Sequence, residues 1–204
     1  MRINKKKFIY LISPNKISKR FYYNLKLLLK TGKIKYFQLR LKKYSLNNKI
    51  LIGRKIKNIC NKNKVKFLVN DDPQLALRLC ADGCHLGQKD MNIKEAKKII
   101  GKKIIGVTCH NSLRLAKKAL KYKPSYLAFG AFHPSKTKKT KYVADIKIIG
   151  KIKKITKTPV VAIGGINSEN YKNLLLNNVN FLAISSYIWS NKKYKPLEAI
   201  KKLI

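Results

Sequence analysis

Eight short apolar runs rich in β-branched and aromatic residues, about 25 residues apart and separated by segments of helical periodicity, predict a compact (β/α)8 TIM barrel. The runs are almost continuously apolar and do not alternate, as expected of parallel strands buried on both faces. An open doubly wound sheet is the rival; it usually has five or six strands, so eight evenly spaced units favour closure. A chain of 204 residues suits one well-buried core, and residues 1–204 are expected to form a single domain.

The strand candidates, in order, are FIYLIS (8–13), IKYFQLR (34–40), KFLVND (66–71), GCHLG (83–87), KIIGVT (103–108), SYLAFGA (125–131), PVVAIGG (159–165) and NFLAISS (180–186). Helical stripes fill the gaps. Ile52, Ile56 and Ile59 recur at i, i+4, i+7; Leu113, Ala116, Ala119 and Leu120 at i, i+3, i+6, i+7; Tyr171, Leu174 and Leu175 at i, i+3, i+4. Each stripe would lie on the sheet.

Composition bounds the function. Lys and Arg number 48 against 8 Asp and Glu, a formal net charge of +40. Clustered cations would suit nucleic acid or an anionic membrane. Here 42 of the cations are Lys scattered through every segment, accompanied by 18 Asn and many Ile, residues of A- and T-rich codons. Compositional drift is the more economical reading, and no nucleic-acid partner is expected. Cys60, Cys80, Cys84 and Cys109 form no C-x-x-C pair, so buried thiols are expected in place of zinc. The apolar run after the basic start is too short for a signal peptide core. No run approaches a membrane span, which makes a cytoplasmic, reduced protein the expectation. A homo-oligomer is compatible with all of this.

In a parallel barrel the reacting groups sit at the C-terminal strand ends, which form one mouth. The polar residues fall there: Gln38, Arg40 and Lys42 at alternate positions after strand two, then Asn70 and Asp71, then His85, Gln88 and Asp90. Thr108 and His110 end strand five, HPSKTKK follows strand six, and Gly164 with Gly165 and Ser185 with Ser186 end strands seven and eight. Simpler readings exist for several. Lys42 suits a solvated strand end, Asp72 before Pro73 a helix cap, Asp90 a helix start, and Asp82 before Gly83 a turn. His85 and His110 suit merely hydrogen-bonded, buried histidines.

Together the residues could surround a polyphosphate bridged by Mg²⁺, a hard cation that takes carboxylate and phosphate oxygens and keeps several waters. Gly165 and the Ser185 to Ser186 turn occupy the phosphate-binding position of this fold, where backbone N–H groups approach closely. Two anionic ligands are expected.

At these residues the chain resembles the thiamine-phosphate synthase family. The matching pieces are QLRLK (38–42), FLVNDDPQLALRLCADGCHLGQKDM (67–91), IIGVTCH (104–110), YLAFGAFHPSKTKK (126–139), VVAIGGI (160–166) and LAISSYI (182–188). The resemblance implies a barrel enzyme, a transferase. Such an enzyme would join 4-amino-5-hydroxymethyl-2-methylpyrimidine diphosphate to a thiazole phosphate and release diphosphate. It further implies that Gln38, Arg40, Lys42, Asn70, Thr108 and Lys138 hold the pyrimidine diphosphate, Arg40, Lys42, Lys138 and Thr108 serving catalysis. Asp71 and Asp90 would hold Mg²⁺, and Ser135, Thr137, Gly165, Ser185 and Ser186 the thiazole phosphate. His85 and Gln88 lie in the matching HLGQ element without an assigned role. The family often has Ser where Thr108 stands and Thr where Ser135 stands; both exchanges keep the hydroxyl.

Two rivals differ in what they need. The related thiazole tautomerases carry out no diphosphate chemistry and would not need the cation pair, both carboxylates and the Lys after S-x-T. A nucleic-acid-binding protein predicts a basic stripe interleaved with aromatics, and none stands out from the uniform Lys background.

Overall fold

Residues 8–134 and 142–203 are described by a computed structural model of the chain. Its strands are β1 (Ile9–Ile12), β2 (Ile34–Leu39), β3 (Lys66–Asn70), β4 (Gly83–Leu86), β5 (Ile104–His110), β6 (Tyr126–Gly130), β7 (Val160–Ile163) and β8 (Phe181–Ile184). Each pairs in parallel with its neighbour in the chain, and β8 returns to β1, closing the barrel expected from the sequence.

Continuous apolar runs form these strands because both faces are covered. In β1, Ile9 and Leu11 belong to the layer between strands and helices, whereas Tyr10 and Ile12 face the barrel interior. The interior is packed with Tyr10, Leu68, Tyr126, Val161 and Ala183, flanked by Tyr36 and Phe181. Its aromatic rings meet at tilted or edge-on angles, Tyr10 to Tyr126 at 5.6 Å and Tyr36 to Phe181 at 5.1 Å between centroids. Such arrangements suit the ring quadrupoles.

Helices α1 (Phe21–Lys30), α2 (Leu46–Lys62), α3 (Pro73–Arg78), α4 (Ile93–Ile100), α5 (Leu113–Leu120), α6 (Lys147–Lys153) and α7 (Tyr171–Leu176) follow successive strands. After β8 the chain forms two short helices, α8 (Ser186–Trp189) and α9 (Pro196–Lys201), where one was expected. Pro196 explains the second start, since proline is accommodated at a first helical turn.

Side chains cap several helix starts, of which Asp72 was read from the sequence; Asp90 does not begin a helix, since α4 opens at Ile93 with Asn92 as its cap. Ser45, Asp72, Asn92 and Ser112 each accept a hydrogen bond from the backbone N–H three residues on, as capping side chains do. The Asp72 bond to the Leu75 N–H is 2.9 Å long and Pro73 opens α3, so the cap reading of Asp72 is correct.

Asp82 does more than turn the chain. Its carboxylate accepts from Lys57 Nζ at 2.8 Å, Lys66 Nζ at 3.0 Å and the Phe67 N–H at 2.9 Å. Its backbone joins Phe67 and Ile104, so one aspartate ties α2, β3 and β5 together at the end away from the mouth. Cys60, Cys84 and Cys109 are buried as expected, while Cys80 is exposed; all four are free thiols. Among the described residues no helix is long and apolar enough to cross a membrane.

Candidate active site

The C-terminal ends of β2, β3 and β4 bring together the first group of polar residues. Asp71 follows β3 in the left-handed region, φ 66°, a conformation that Asp tolerates better than most side chains. Its N–H donates to the His85 carbonyl at 2.8 Å, which fixes the turn against β4. Lys42 Nζ lies 3.0 Å from Asp71 Oδ2, with both side chains partly open to solvent. Asp90 folds back over its own loop to accept the Gly87 N–H at 2.7 Å. A Cβ on Gly87 would come within 2.7 Å of that carboxylate, so a side chain there would have to displace Asp90 from its place over the loop.

Burial and then the neighbouring Asp71 carboxyl push the Asp90 carboxyl above its ordinary value, against the pull of the Gly87 N–H and Lys42. Two like charges are thus gathered at one place, an arrangement that a divalent cation relieves. Among the described residues no group of three or more His, Cys, Asp or Glu could hold a metal ion. The pair fits Mg²⁺, which keeps waters and takes substrate phosphate oxygens.

The alternate spacing of Gln38, Arg40 and Lys42 would put all three on one face of an extended segment, but they do not lie along one strand. β2 ends at Leu39 and the chain turns at Lys42 and Lys43. Arg40 Nη1 donates to Asn15 Oδ1 at 3.2 Å, Lys42 meets Asp71, and Gln38 is buried inside the barrel with Nε2 2.6 Å from Tyr10 Oη. The last polar group of β3, Asn70, is half-buried and in register with His85 on β4.

Beneath the mouth runs a buried polar chain. Tyr10 Oη lies 2.8 Å from Tyr126 Oη, Tyr126 Oη 3.0 Å from His85 Nδ1, and His85 Nε2 2.8 Å from Thr108 Oγ1. Gln88 donates its side-chain N–H to the Thr108 carbonyl. Burial pulls the His85 imidazole down to about 4, so it is neutral near pH 7. Burial likewise raises Tyr10 and Tyr126, and they stay protonated. His110, at φ 51°, stacks on Tyr142 with centroids 4.3 Å apart. Burial pushes the Cys60, Cys84 and Cys109 thiols up to about 12, which removes them as nucleophiles at neutral pH.

The ends of β7 and β8 form the second group. Gly165 has φ 60°, and a Cβ there would meet the Pro134 carbonyl at 2.4 Å and His133 Cβ at 2.6 Å. Glycine is therefore required where the loop after β6 packs on the end of β7. Ser185 Oγ donates to the Ser13 carbonyl at 3.2 Å, and Ser186 opens α8. Ser185 and Ser186 line a groove of about 400 Å³ together with Asn15, Lys16, Ser18 and Trp189. Ser135, Thr137 and Lys138 lie outside the described residues.

Ser13 and Asn15 were not picked out from the sequence. Ser13 Oγ accepts the Arg40 N–H at 2.9 Å while its carbonyl accepts Ser185. One residue thus joins the cationic end of β2 to the hydroxyl end of β8. The signal was weak: a lone Ser and Asn around Pro14 reads as a simple turn.

The thiamine monophosphate synthase family model matches residues 9–188. The chain is 65% identical over 206 residues to the thiamine-phosphate synthase of Pelagibacter ubique, covering 100% of both chains. It is 36% identical to the thiamine-phosphate synthase of Erythrobacter litoralis over 96% of this chain and 94% of that one. Its fold superposes on the thiamine phosphate pyrophosphorylase of Pyrococcus furiosus with a TM-score of 0.85 at 30% identity, covering 98% and 95% of the two chains.

Proposed function

The chain belongs to the thiamine monophosphate synthase family, and from that premise we propose how its mouth joins 4-amino-5-hydroxymethyl-2-methylpyrimidine diphosphate to a thiazole phosphate, in Mg²⁺-dependent fashion. The observation that carries the metal-assisted reading is the convergence of Asp71, Asp90 and Lys42 at the ends of β2 to β4. Among the described residues one lysine, Lys42, offsets two carboxylates there, and the remaining negative charge suits a divalent cation.

The bond that breaks joins the pyrimidine methylene carbon to a diphosphate oxygen. Its electron pair leaves with diphosphate, and the thiazole nitrogen supplies the pair that forms the new carbon–nitrogen bond. The pyrimidine amino group donates electrons to the cation between these events, so the protein needs no nucleophile. Its tasks are to place the two substrates and to stabilise charge on the leaving group. Asp71 and Asp90 would hold Mg²⁺, which when bound supplies positive charge to the diphosphate oxygens. Arg40, on the Asn15 side of the mouth, and Lys42, on the Asp71 side, add positive charge; Lys138 is proposed to complete them. Thr108 and Asn70 would contact the same substrate, with Gln38 buried beneath.

The thiazole phosphate is assigned to the β7 and β8 side, at Gly165, Ser185 and Ser186 with Ser135 and Thr137. The groove bordered by Ser185, Ser186 and Lys16 supports this placement. The proposal takes the cytoplasm as the compartment, in keeping with four free thiols. Purified protein mixed with both precursors and Mg²⁺ should release diphosphate. Folded protein that releases none under these conditions would overturn the reading.

A further inference from the structure

We infer that His85 is a positioning residue: a one-way chain of hydrogen bonds, Gln38 to Tyr10 to Tyr126 to His85 to Thr108, leaves the Thr108 hydroxyl as a donor toward the pyrimidine diphosphate. The inference deepens the reading above and rests on it for the identity of the acceptor.

The direction follows from counting protons. Gln38 donates its amide N–H to Tyr10 Oη at 2.6 Å. Tyr10 has one proton of its own, and Tyr126 Oη at 2.8 Å is the acceptor within reach. Tyr126 in turn donates its O–H to His85 Nδ1, 3.0 Å away. A neutral imidazole that accepts at Nδ1 carries its hydrogen on Nε2. That N–H donates to Thr108 Oγ1 at 2.8 Å, so one lone pair of the threonine oxygen is taken and its O–H is released for another acceptor. A hydroxyl turned to donate suits a leaving group that gains negative charge.

The barrel is built to allow this chain. His85 on β4, Gly106 on β5 and Tyr126 on β6 lie in one register row. Gly106 has no side chain, and a Cβ there would sit 1.8 Å from Tyr126 Cζ. The gap lets the His85 and Tyr126 rings meet across β5, with planes 11° apart and centroids 5.7 Å apart. Four of the five side chains are almost fully buried: Tyr10, Tyr126, Gln38 and His85. Only half-buried Thr108 opens toward the mouth. A purely structural network would have no need to end at that hydroxyl.

Long-range ¹⁵N–¹H spectra of the intact protein read the His85 tautomer directly. The Nε2–H form is expected, and the Nδ1–H form, which reverses the whole chain, would overturn the inference whatever the protein catalyses. Kinetics supply the second arm. His85→Phe should lower kcat about 10- to 100-fold, the range of one hydrogen bond to a charged group, while KM for the pyrimidine diphosphate moves less. His85→Gln, whose amide N–H can take the place of Nε2–H, should recover most of that loss. In a Thr108→Val background His85→Phe should add little, because His85 acts through that hydroxyl. Full additivity of the two losses, or failure of Gln to restore kcat, would refute a positioning role. Absence of turnover in the parent protein would count against the synthase reading alone, since the tautomer is read without substrate.

Discussion

Replacing Asp82 by alanine tests how the barrel is held at the end away from its mouth. The substitution removes the acceptor of three donors: Lys57 Nζ, Lys66 Nζ and the Phe67 N–H. The Lys66 side chain is 53% exposed, so its pair contributes about 0–1 kcal/mol. Lys57 is only 16% exposed and loses a charged hydrogen bond of about 1.5–3 kcal/mol, while the Phe67 N–H left unpaired costs about 1–3 kcal/mol. The parts overlap, because removing Asp82 also removes the desolvation of its own carboxylate. A net loss of about 2–4 kcal/mol is expected, which for a chain of this size lowers Tm by about 5–15 °C. Burial raises the Asp82 carboxyl, but the bonds from Lys57, Phe67 and Lys66 outweigh it and hold the group below its ordinary value. Its stabilisation is therefore present above the unfolded value of about 4 and is lost as pH falls through the lower folded value. Thermal unfolding from pH 7 down to pH 3 should show the gap between the parent and Asp82→Ala closing at the acid end. A Tm within about 2 °C of the parent at pH 7, under that size scaling, would mean that Asp82 does not hold these elements together.

The neighbouring aspartates should respond differently. Asp72→Ala should lose a cap worth about 0.5–2 kcal/mol in urea unfolding and leave turnover nearly intact. Asp71→Ala and Asp90→Ala should each lower kcat by about 100-fold or more while unfolding changes less. Gly106→Ala should destabilise the barrel by about 1–3 kcal/mol, because the new methyl drives into the Tyr126 ring. It should also lower kcat by parting Tyr126 from His85.

The strands were legible because parallel strands buried on both faces leave an unbroken apolar signature, and Pro73 after Asp72 marked the cap of α3. Asp71 and Asp90 were legible as carboxylates at successive strand ends. Tyr10 and Tyr126 were not, since a tyrosine within FIYLIS or SYLAFGA looks the same whether it faces the helices or the interior. Only the register across Gly106 shows that they join His85 to Thr108. The partners of Asp82 were hidden for another reason: in a chain with 42 Lys, sequence cannot say which two will reach one carboxylate.

In the proposed reaction Asp71 and Asp90 support metal-assisted departure of diphosphate from the mouth of this barrel. Its most direct test is diphosphate release from both precursors as Mg²⁺ is titrated, in the parent protein, Asp71→Asn and Asp90→Asn. Release in the parent should depend on Mg²⁺, with both variants needing far more metal or releasing almost nothing. Release that ignores Mg²⁺, or that survives both substitutions unchanged, would contradict it.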